Sequence, residues 1–410
     1  MALNYVWISF FLLAFIAALV KLIGFNDVDI FYKIVTAIFD SAKVSVEIAI
    51  GLIGLMAFWL GIMKIGERGG MIAIFARAVR PFFSKLFPEV PRDHPAYGSI
   101  LMNFSANMLG LDNAATPMGL KAMKELQEIN PNKETASNAQ IMFLVLNASS
   151  LTLLPISIIA YRKEAGAADP SDIFIPILLA TFFSTLTGLI VTALYQRINL
   201  FQRAILIYLG AIAIFIFGLL YYFSQLPPDE IGVTTRVLSN VILLSIVVSF
   251  ITLAMFRKIN VFEAFIDGAK EGFEVAVKII PYLVAILVAV GVLRASGVLD
   301  FIMQGLSIFF GSLGINTDFI PALPVALMKP LSGSGARGLL IDLMNTSGAD
   351  SFPSRVASVI QGSTETTFYV LAVYFGSVAI KRTRHALPAA LLAELAGVIA
   401  AIFIAYIFFH

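Results

Sequence analysis

Long apolar stretches recur along this sequence, and each is long enough to cross a bilayer as one helix of about 20 residues. Nine stretches qualify: 5–25, 44–63, 138–161, 173–196, 204–223, 236–256, 272–293, 356–378 and 386–408. Backbone polar groups must find partners within the hydrocarbon, and a helix satisfies them within one segment. The sequence therefore predicts an all-α polytopic membrane protein with about nine transmembrane helices.

Composition excludes several other classes of protein. Charged residues make up 13% of the chain, about half of the roughly 25% found in soluble domains. The 410 residues contain no cysteine and only three histidines, which excludes a disulfide scaffold, thiol chemistry and a histidine-rich metal centre. The net charge of +2 gives no reason to expect a nucleic acid partner. Motifs for ATP binding, zinc hydrolysis and nucleophilic serine are absent, so we expect no enzyme.

Positive charge is concentrated in alternate loops. Residues 64–95 carry six lysines and arginines, whereas 224–235 and 346–354 carry none. Because cytoplasmic loops are enriched in basic residues, this pattern predicts a cytoplasmic N-terminus. The exceptions are Arg162, Lys163 and Arg294. The first apolar stretch has no basic flank or cleavage site, which predicts a retained span rather than a signal peptide.

Short motifs recur in the two halves of the chain. Asp40–Ala49 and Asp267–Ala276 share Asp, Ala, Lys, Glu and Ala at the same spacing, and Asn147–Thr152 aligns with Gln361–Thr366. An amphipathic segment follows the first copy at 69–87, with a counterpart at 298–313 after the second. The number of predicted spans separating the copies is odd. We therefore expect an inverted-topology repeat, which is common in secondary transporters.

Each copy also contains an apolar segment rich in glycine, proline and small polar residues. These segments are Asn103–Gly119 and Pro321–Gly338. Such residues break helices, and irregular backbone within a membrane must line a cavity or lie inside protein. We expect two re-entrant helical hairpins, one from each side. The alternative is a pair of solvated loops, although the apolar runs Tyr97–Met102 and Phe319–Met328 argue against it.

Polar clusters interrupt two otherwise convincing spans, at Asn147–Thr152 and Gln361–Thr367. Hydroxyl and amide groups within spans often join neighbouring helices. However, an ionisable residue inside a span indicates a functional site, so Glu365 is a candidate for binding. Hydroxyls and carbonyls freed by local unwinding also suit a hard cation such as Na⁺.

Three charged residues leave alternatives open. Arg337 follows a Gly-Ser-Gly turn at the start of a half-helix, where it could bind an anionic group of a ligand or pair with Asp342. Glu394 lies in the last span and could carry a proton or hydrogen-bond a neighbouring helix, and we favour the structural role.

At these same positions the chain resembles a known family. Asn107–Met123 is similar to spore maturation protein A, and Pro330–Ala336, Glu365–Ser377 and Lys381–Leu387 are similar to spore maturation protein B. The chain thus resembles a fusion of the two. Both belong to the nucleoside-recognition or Gate family, which is distantly similar to concentrative nucleoside transporters.

The resemblance implies a fold like that of the concentrative nucleoside transporters, with three parts. A first Gate repeat with the N-terminal span covers 1–200, linker or scaffold helices cover 201–260, and a second Gate repeat covers 261–410. Residues implied to face the solute are Asn107, Asp112, Asn113, Thr116, Ser332, Ser334, Gln361, Ser363, Thr364 and Glu365, to which Arg337 is added. Those implied to lie near a Na⁺ ion are Asn107, Asn147, Ser149 and Ser150.

We therefore expect an inner-membrane secondary transporter of a small polar solute, nucleoside-like by resemblance, that works by alternating access. The sequence predicts no cofactor other than Na⁺ or H⁺ as the coupling ion. Its expected partners are the solute and membrane lipid, and the analogy favours a homo-oligomer. The alternative is a non-transporting membrane factor for envelope or spore-type maturation, which recruits partner proteins through 64–95.

Overall fold

The computed structural model describes residues 2–91, 93–110, 112–149 and 151–410. Within these ranges the regular secondary structure is helical, apart from one isolated bridge between Thr135 and Arg382. The helices are α1 (Ala2–Phe25), α2 (Ile30–Arg68), α3 (Met71–Leu86), α4 (Pro95–Met108), α5 (Asp112–Ile129), α6 (Asn138–Ser149), α7 (Ile156–Glu164), α8 (Phe174–Gln196), α9 (Arg203–Ser224), α10 (Pro228–Phe256), α11 (Val261–Ala295), α12 (Val298–Ser312), α13 (Leu323–Met328), α14 (Gly333–Ser347), α15 (Phe352–Ser363), α16 (Thr367–Ser377) and α17 (Ala386–Phe409), with a 3₁₀ turn at Ile320–Ala322.

Seven helices in the described part of the chain are long and apolar enough to span a membrane, which confirms seven of the nine predicted spans. They are α1, α2, α8, α9, α10, α11 and α17. The predicted spans 138–161 and 356–378 are not single helices. Each is divided into two shorter helices, α6 with α7 and α15 with α16. Pro155 lacks an amide hydrogen and precedes α7, and Thr364 is extended where α15 ends, so the backbone leaves the helix at both places.

The same order of helices occurs twice in the described part of the chain. A long helix, a short helix, a pair of helices, a broken helix and a closing helix run from α2 to α8 and again from α11 to α17. Gly70 and Gly297 stand immediately before the two short helices, and both have a φ of +81°. Glycine adopts this left-handed conformation without steric cost. The repeated sequence motifs therefore correspond to a duplicated structural unit.

Equivalent helices of the two units pack against each other in antiparallel directions. In the pair of α2 and α11, Arg68 at the end of α2 bonds Asp267 near the start of α11 at 2.8 Å. In the pair of α8 and α17, the Ser184 hydroxyl donates to the Ala393 carbonyl at 2.9 Å. These two pairings connect the units along their length.

The basic loops lie together at one end of the molecule. The Lys381 ammonium is 2.6 Å from a carboxylate oxygen of Glu134, which joins the α16–α17 loop to the α5–α6 loop. The Tyr208 hydroxyl near the start of α9 donates to a backbone carbonyl of α3 at 2.6 Å. At the end of α2, Gly70 lies against the Arg257 guanidinium that follows α10. The loops that carry most of the basic residues in the sequence are therefore in contact with neighbouring elements at the same end of the fold.

We expect Gly272→Ala to loosen the pairing of α2 with α11. A β-carbon at Gly272 would lie 2.5 Å from the Met56 carbonyl oxygen and 2.6 Å from the Ala57 α-carbon, and these backbone atoms cannot move independently of α2. Overpacking of this kind costs about 1–3 kcal/mol. Unfolding of the purified protein in mixed micelles measures the loss. The matched control is Gly210→Ala in α9, where nothing lies within 4 Å of the new carbon; equal stability of the two variants would contradict the prediction.

Candidate functional site

The two broken helices meet at their breaks. The Glu365 amide, in the break between α15 and α16, donates to the Ala148 carbonyl at 2.9 Å. Ala148 is in the last turn of α6, where carbonyls have no partner within their own helix. The break in the second unit therefore donates a hydrogen bond to a carbonyl at the end of α6, which has no partner within its own helix.

Each break also rests on the helix pair of its own unit. The Leu153 amide donates at 2.9 Å to the carbonyl of Met108, the last residue of α4. In the second unit, the Phe368 amide donates at 3.0 Å to the carbonyl of Pro330, between α13 and α14. A β-carbon on Gly110 would lie 2.9 Å from the Leu154 carbonyl oxygen, so the tip of the first pair approaches the first break closely. Two breaks and two helix-pair tips thus form one central region.

An amide network joins four helices in this region, α4, α5, α6 and α16. The Asn107 amide group of α4 donates to Oδ1 of Asn147 in α6 at 2.6 Å, and the Tyr374 hydroxyl of α16 donates to the same oxygen at 3.3 Å. The buried Asn103 amide group of α4 donates to the Tyr374 oxygen at 3.3 Å and to the Ala115 carbonyl at 2.8 Å. Asn107 and Asn147 were both predicted. Asn103 and Tyr374 were not, although both lie inside the quoted motifs.

A second polar cluster lies beside the second break. The Lys329 ammonium donates to the Gln361 carbonyl at 2.9 Å, and the Thr367 hydroxyl donates to Oε2 of Glu394 at 2.6 Å. Lys329 and Glu394 are only 4% and 3% exposed. Among the described residues, Oε1 of Gln361, Oγ1 of Thr364 and Oε1 of Glu394 are buried without a hydrogen-bond partner. Such atoms mark places where a ligand, ion or water completes the bonding.

Of this cluster, the sequence interpretation missed the role of Lys329. Its position beside Pro330 in the second glycine-rich segment was the available signal, because a lysine within an apolar run requires a polar partner. The favoured structural role of Glu394 agrees with its bond to Thr367, although one carboxyl oxygen has no partner among the described residues.

The predicted residues of the second hairpin segment lie at the start of α14. The Ser332 hydroxyl accepts from the Gly335 amide at 3.0 Å and lies 3.3 Å from the Ser334 hydroxyl. The Arg337 Nε donates to the Gly333 carbonyl at 3.2 Å. Asp342, the acid considered as the partner of Arg337, instead pairs with Arg294 of α11.

Other predicted residues are placed differently. Ser149 and Ser363 are buried, and their hydroxyls donate to carbonyls three residues back in their own helices, at 3.3 and 2.9 Å. The Glu365 side chain is exposed, and Thr116 is half-buried on α5. Asp112 and Asn113 begin α5, but their side chains lie outside the described part of the structure, as does the whole of Ser150.

No group of three or more acidic or histidine side chains in the described ranges could hold a metal ion. The breaks and the helix-pair tips offer amide, hydroxyl and carbonyl oxygens to a cation. Oxygen ligands of this kind suit an alkali cation better than a transition metal.

Comparison with known proteins gives consistent results. A family model described as Gate, nucleoside recognition, matches residues 49–168 and 276–381, together more than half of the chain. Both matched ranges contain a broken helix and its helix pair. The central region therefore lies within the segments that define the family.

Two relatives from Bacillus subtilis (strain 168) are similar to this chain. Spore maturation protein A is 42% identical over 189 residues, which cover 46% of this chain and 92% of that protein. Spore maturation protein B is 50% identical over 153 residues, which cover 37% of this chain and 84% of that protein. The resemblance predicted from the sequence is confirmed. No solved structure matched the chain.

Proposed function

Since this chain belongs to the Gate family of nucleoside-recognition proteins, we propose that it is a secondary transporter of a nucleoside-like polar solute, driven by an ion gradient. The seven apolar helices and the relatives agree with a multi-pass membrane protein. The proposed place of action is the bacterial inner membrane. We assign the chain no catalytic step.

The observation that carries the proposal is the meeting of the two breaks, joined from Glu365 to Ala148 at 2.9 Å. Irregular backbone at membrane depth is stable only inside protein or along a cavity. Discontinuous helices at matching places in two repeats form the solute site of many secondary transporters. In this proposal, the two helix-pair tips and the two breaks enclose the solute.

We interpret α4–α5 and α13–α14 as re-entrant hairpins that enter from opposite faces. The end of the first pair meets the α16–α17 loop, where the Gln127 side chain donates to the Val378 carbonyl at 3.2 Å. Just after the second pair, the Ala349 carbonyl accepts from Arg162 of α7 at 2.7 Å. Because α7 and α16 are equivalent halves of antiparallel units, these contacts support entry from opposite ends and alternating access.

The orientation and the division of the chain are also part of this proposal. The clustering of basic loops at one end supports a cytoplasmic N-terminus. The two family matches support Gate repeats within 1–200 and 261–410, with 201–260 as scaffold.

Two ions remain candidates for coupling, and they depend on different groups. Na⁺ would use the neutral oxygens near Asn107 and Asn147, whereas H⁺ would use the buried Glu394, which accepts from the Thr367 hydroxyl. Uptake of a panel of radiolabelled nucleosides into proteoliposomes, with a Na⁺ gradient and a pH gradient imposed separately, distinguishes the two.

We expect Glu365→Gln to reduce this uptake about tenfold, because one charge-assisted hydrogen bond to the solute is lost. Its side chain is exposed although its backbone lies in the central region, so it is free to reach a ligand. Glu128→Gln is the control, since it changes an exposed acid near the far end of α5. Unchanged uptake in Glu365→Gln would remove this residue from the site.

If neither gradient drives uptake of any nucleoside into vesicles that contain folded protein, transport is refuted. The alternative would then be a non-transporting maturation factor, which the names of the two relatives favour. In that case the basic end of the molecule would recruit partner proteins.

A further inference from the structure

A cavity of about 750 Å³ lies away from the broken helices, within the size range of small-molecule sites. It is lined by the end of α9, the first turns of α10, the end of α17, the loop before α8, and Arg355 of α15. None of the residues proposed for the solute site lines it. The cavity therefore requires a separate explanation.

The ends of membrane-spanning helices surround this cavity. Ser224 ends α9, and Phe409 is the last residue of α17. Since spanning helices end near the membrane–water boundary, the cavity lies at the depth of lipid headgroups. Phe223, Leu226 and Phe408 provide an apolar wall.

The polar lining contains one cation and one anion whose partners are incomplete. The guanidinium of Arg236 is exposed and takes part in none of the ion pairs among the described residues. Oδ2 of Asp169 is buried without a partner in the same part of the chain, whereas its Oδ1 accepts from the Ser171 hydroxyl at 2.7 Å. The buried Thr235 hydroxyl, also in the lining, has no partner there either.

Arg355 differs from Arg236 because it is held in place. Its Nε lies 2.9 Å from Asp172, and its guanidinium stacks 5.1 Å from the ring centroid of Phe409. It adds positive potential to the cavity without needing a further partner. A ligand that completes the lining must therefore offer an anion to Arg236 and a hydrogen-bonding cation to Asp169.

We propose that this cavity binds the headgroup of a phospholipid that carries both a phosphate and a primary ammonium, as phosphatidylethanolamine does. The phosphate pairs with the exposed guanidinium of Arg236, and the ammonium donates to the half-buried carboxylate of Asp169. The acyl chains begin along Phe223 and Phe408. An anionic headgroup without the ammonium leaves Asp169 unpaired, and a quaternary ammonium has no hydrogen to donate.

Lipid binding to the purified protein tests the proposal by native mass spectrometry. The probes are phosphatidylethanolamine, phosphatidylglycerol and phosphatidylcholine with identical acyl chains. We expect about tenfold tighter binding of phosphatidylethanolamine than of the other two, because one charge-assisted hydrogen bond differs. Equal binding of the three lipids, or a preference for phosphatidylglycerol, would overturn the proposal.

Variants identify the groups that are responsible. Arg236→Gln should weaken binding of all three lipids, because each carries a phosphate. Asp169→Asn should remove only the preference for phosphatidylethanolamine over phosphatidylcholine, and persistence of that preference would refute the role of Asp169. Arg203→Gln, an exposed arginine at the start of α9 and far from the cavity, is the control. Because binding alone is measured, the result does not depend on whether the protein transports a solute.

Discussion

Arg162→Ala is expected to lower the free energy of unfolding by about 3–5 kcal/mol, the cost of removing one partner from a buried ion pair. Arg162 is fully buried at the end of α7. Its guanidinium donates to the Ala349 carbonyl at 2.7 Å, and its Nη2 lies 2.9 Å from Asp350 and 3.0 Å from Asp172. These bonds join the loop before α8 to the loop before α15.

The physical reason is the carboxylate that is left behind. Burial raises the pKa of Asp172 above its ordinary value of 3.8, and the two nearby arginines, Arg162 and Arg355, partly oppose this shift. A group with a raised folded-state pKa binds its proton more tightly in the folded protein, so its contribution favours folding at low pH and is lost as the pH rises through the folded pKa. Without Arg162, the pKa of Asp172 is raised further, because one of the two opposing arginines is gone. The deficit of the variant should therefore shrink as the pH is lowered towards 3.8.

Equilibrium unfolding in mixed micelles at several pH values measures both effects. Lys163→Ala is the matched control, because it removes the charge of the adjacent residue, whose side chain is exposed. A deficit no larger than that of Lys163→Ala, or one that does not change with pH, would contradict the role assigned to the Arg162 cluster.

Asn147→Ala is expected to weaken solute binding about 100-fold. The substitution removes the oxygen that accepts from both the Asn107 amide group and the Tyr374 hydroxyl, so two hydrogen bonds between α4, α6 and α16 are lost. Each unsatisfied buried group costs about 1–3 kcal/mol, and a loss of about 2.7 kcal/mol corresponds to two orders of magnitude in affinity. The tip of α4, α6 and α16 would lose the bonds that hold the site together.

Binding of nucleosides to the purified protein, with and without Na⁺, measures this loss, and the unfolding midpoint shows whether the variant remains folded. Asn138→Ala is the control, because it changes an asparagine at the other end of α6 that bonds Glu89. Native affinity in a folded Asn147→Ala protein would exclude the amide network from the site. A loss of affinity only when Na⁺ is present would assign Asn147 to the ion rather than to the solute.

Much of the architecture could be predicted because it follows local rules. Apolar length predicted the seven spanning helices, and the amphipathic segments 69–87 and 298–313 predicted the two short helices that follow long ones. The polar runs at Asn147–Thr152 and Gln361–Thr367 predicted where two spans are interrupted. Each of these signals lies within about twenty residues of the structure it describes.

Other features were misjudged because the sequence does not state which charges are paired. Arg162 and Arg294 were exceptions to the charge pattern of the loops. In the structure Arg162 is buried among carboxylates, and Arg294 pairs with Asp342, so neither is a free loop charge. The sequence left open whether Arg337 pairs with Asp342. In the structure Asp342 pairs with Arg294 instead. Counting basic residues could not separate paired from unpaired charges.

The sequence by itself determined the class of protein, its family, the duplication and the position of both helix breaks, since hydropathy and residue type act locally. Only the tertiary structure decided that Glu365 meets Ala148, that Tyr374 joins Asn147, and that Lys329 donates to the Gln361 carbonyl. Partners in these contacts are far apart along the chain. Their selection depends on how whole helices pack, because a buried polar group takes whichever partner the packing brings within bonding distance.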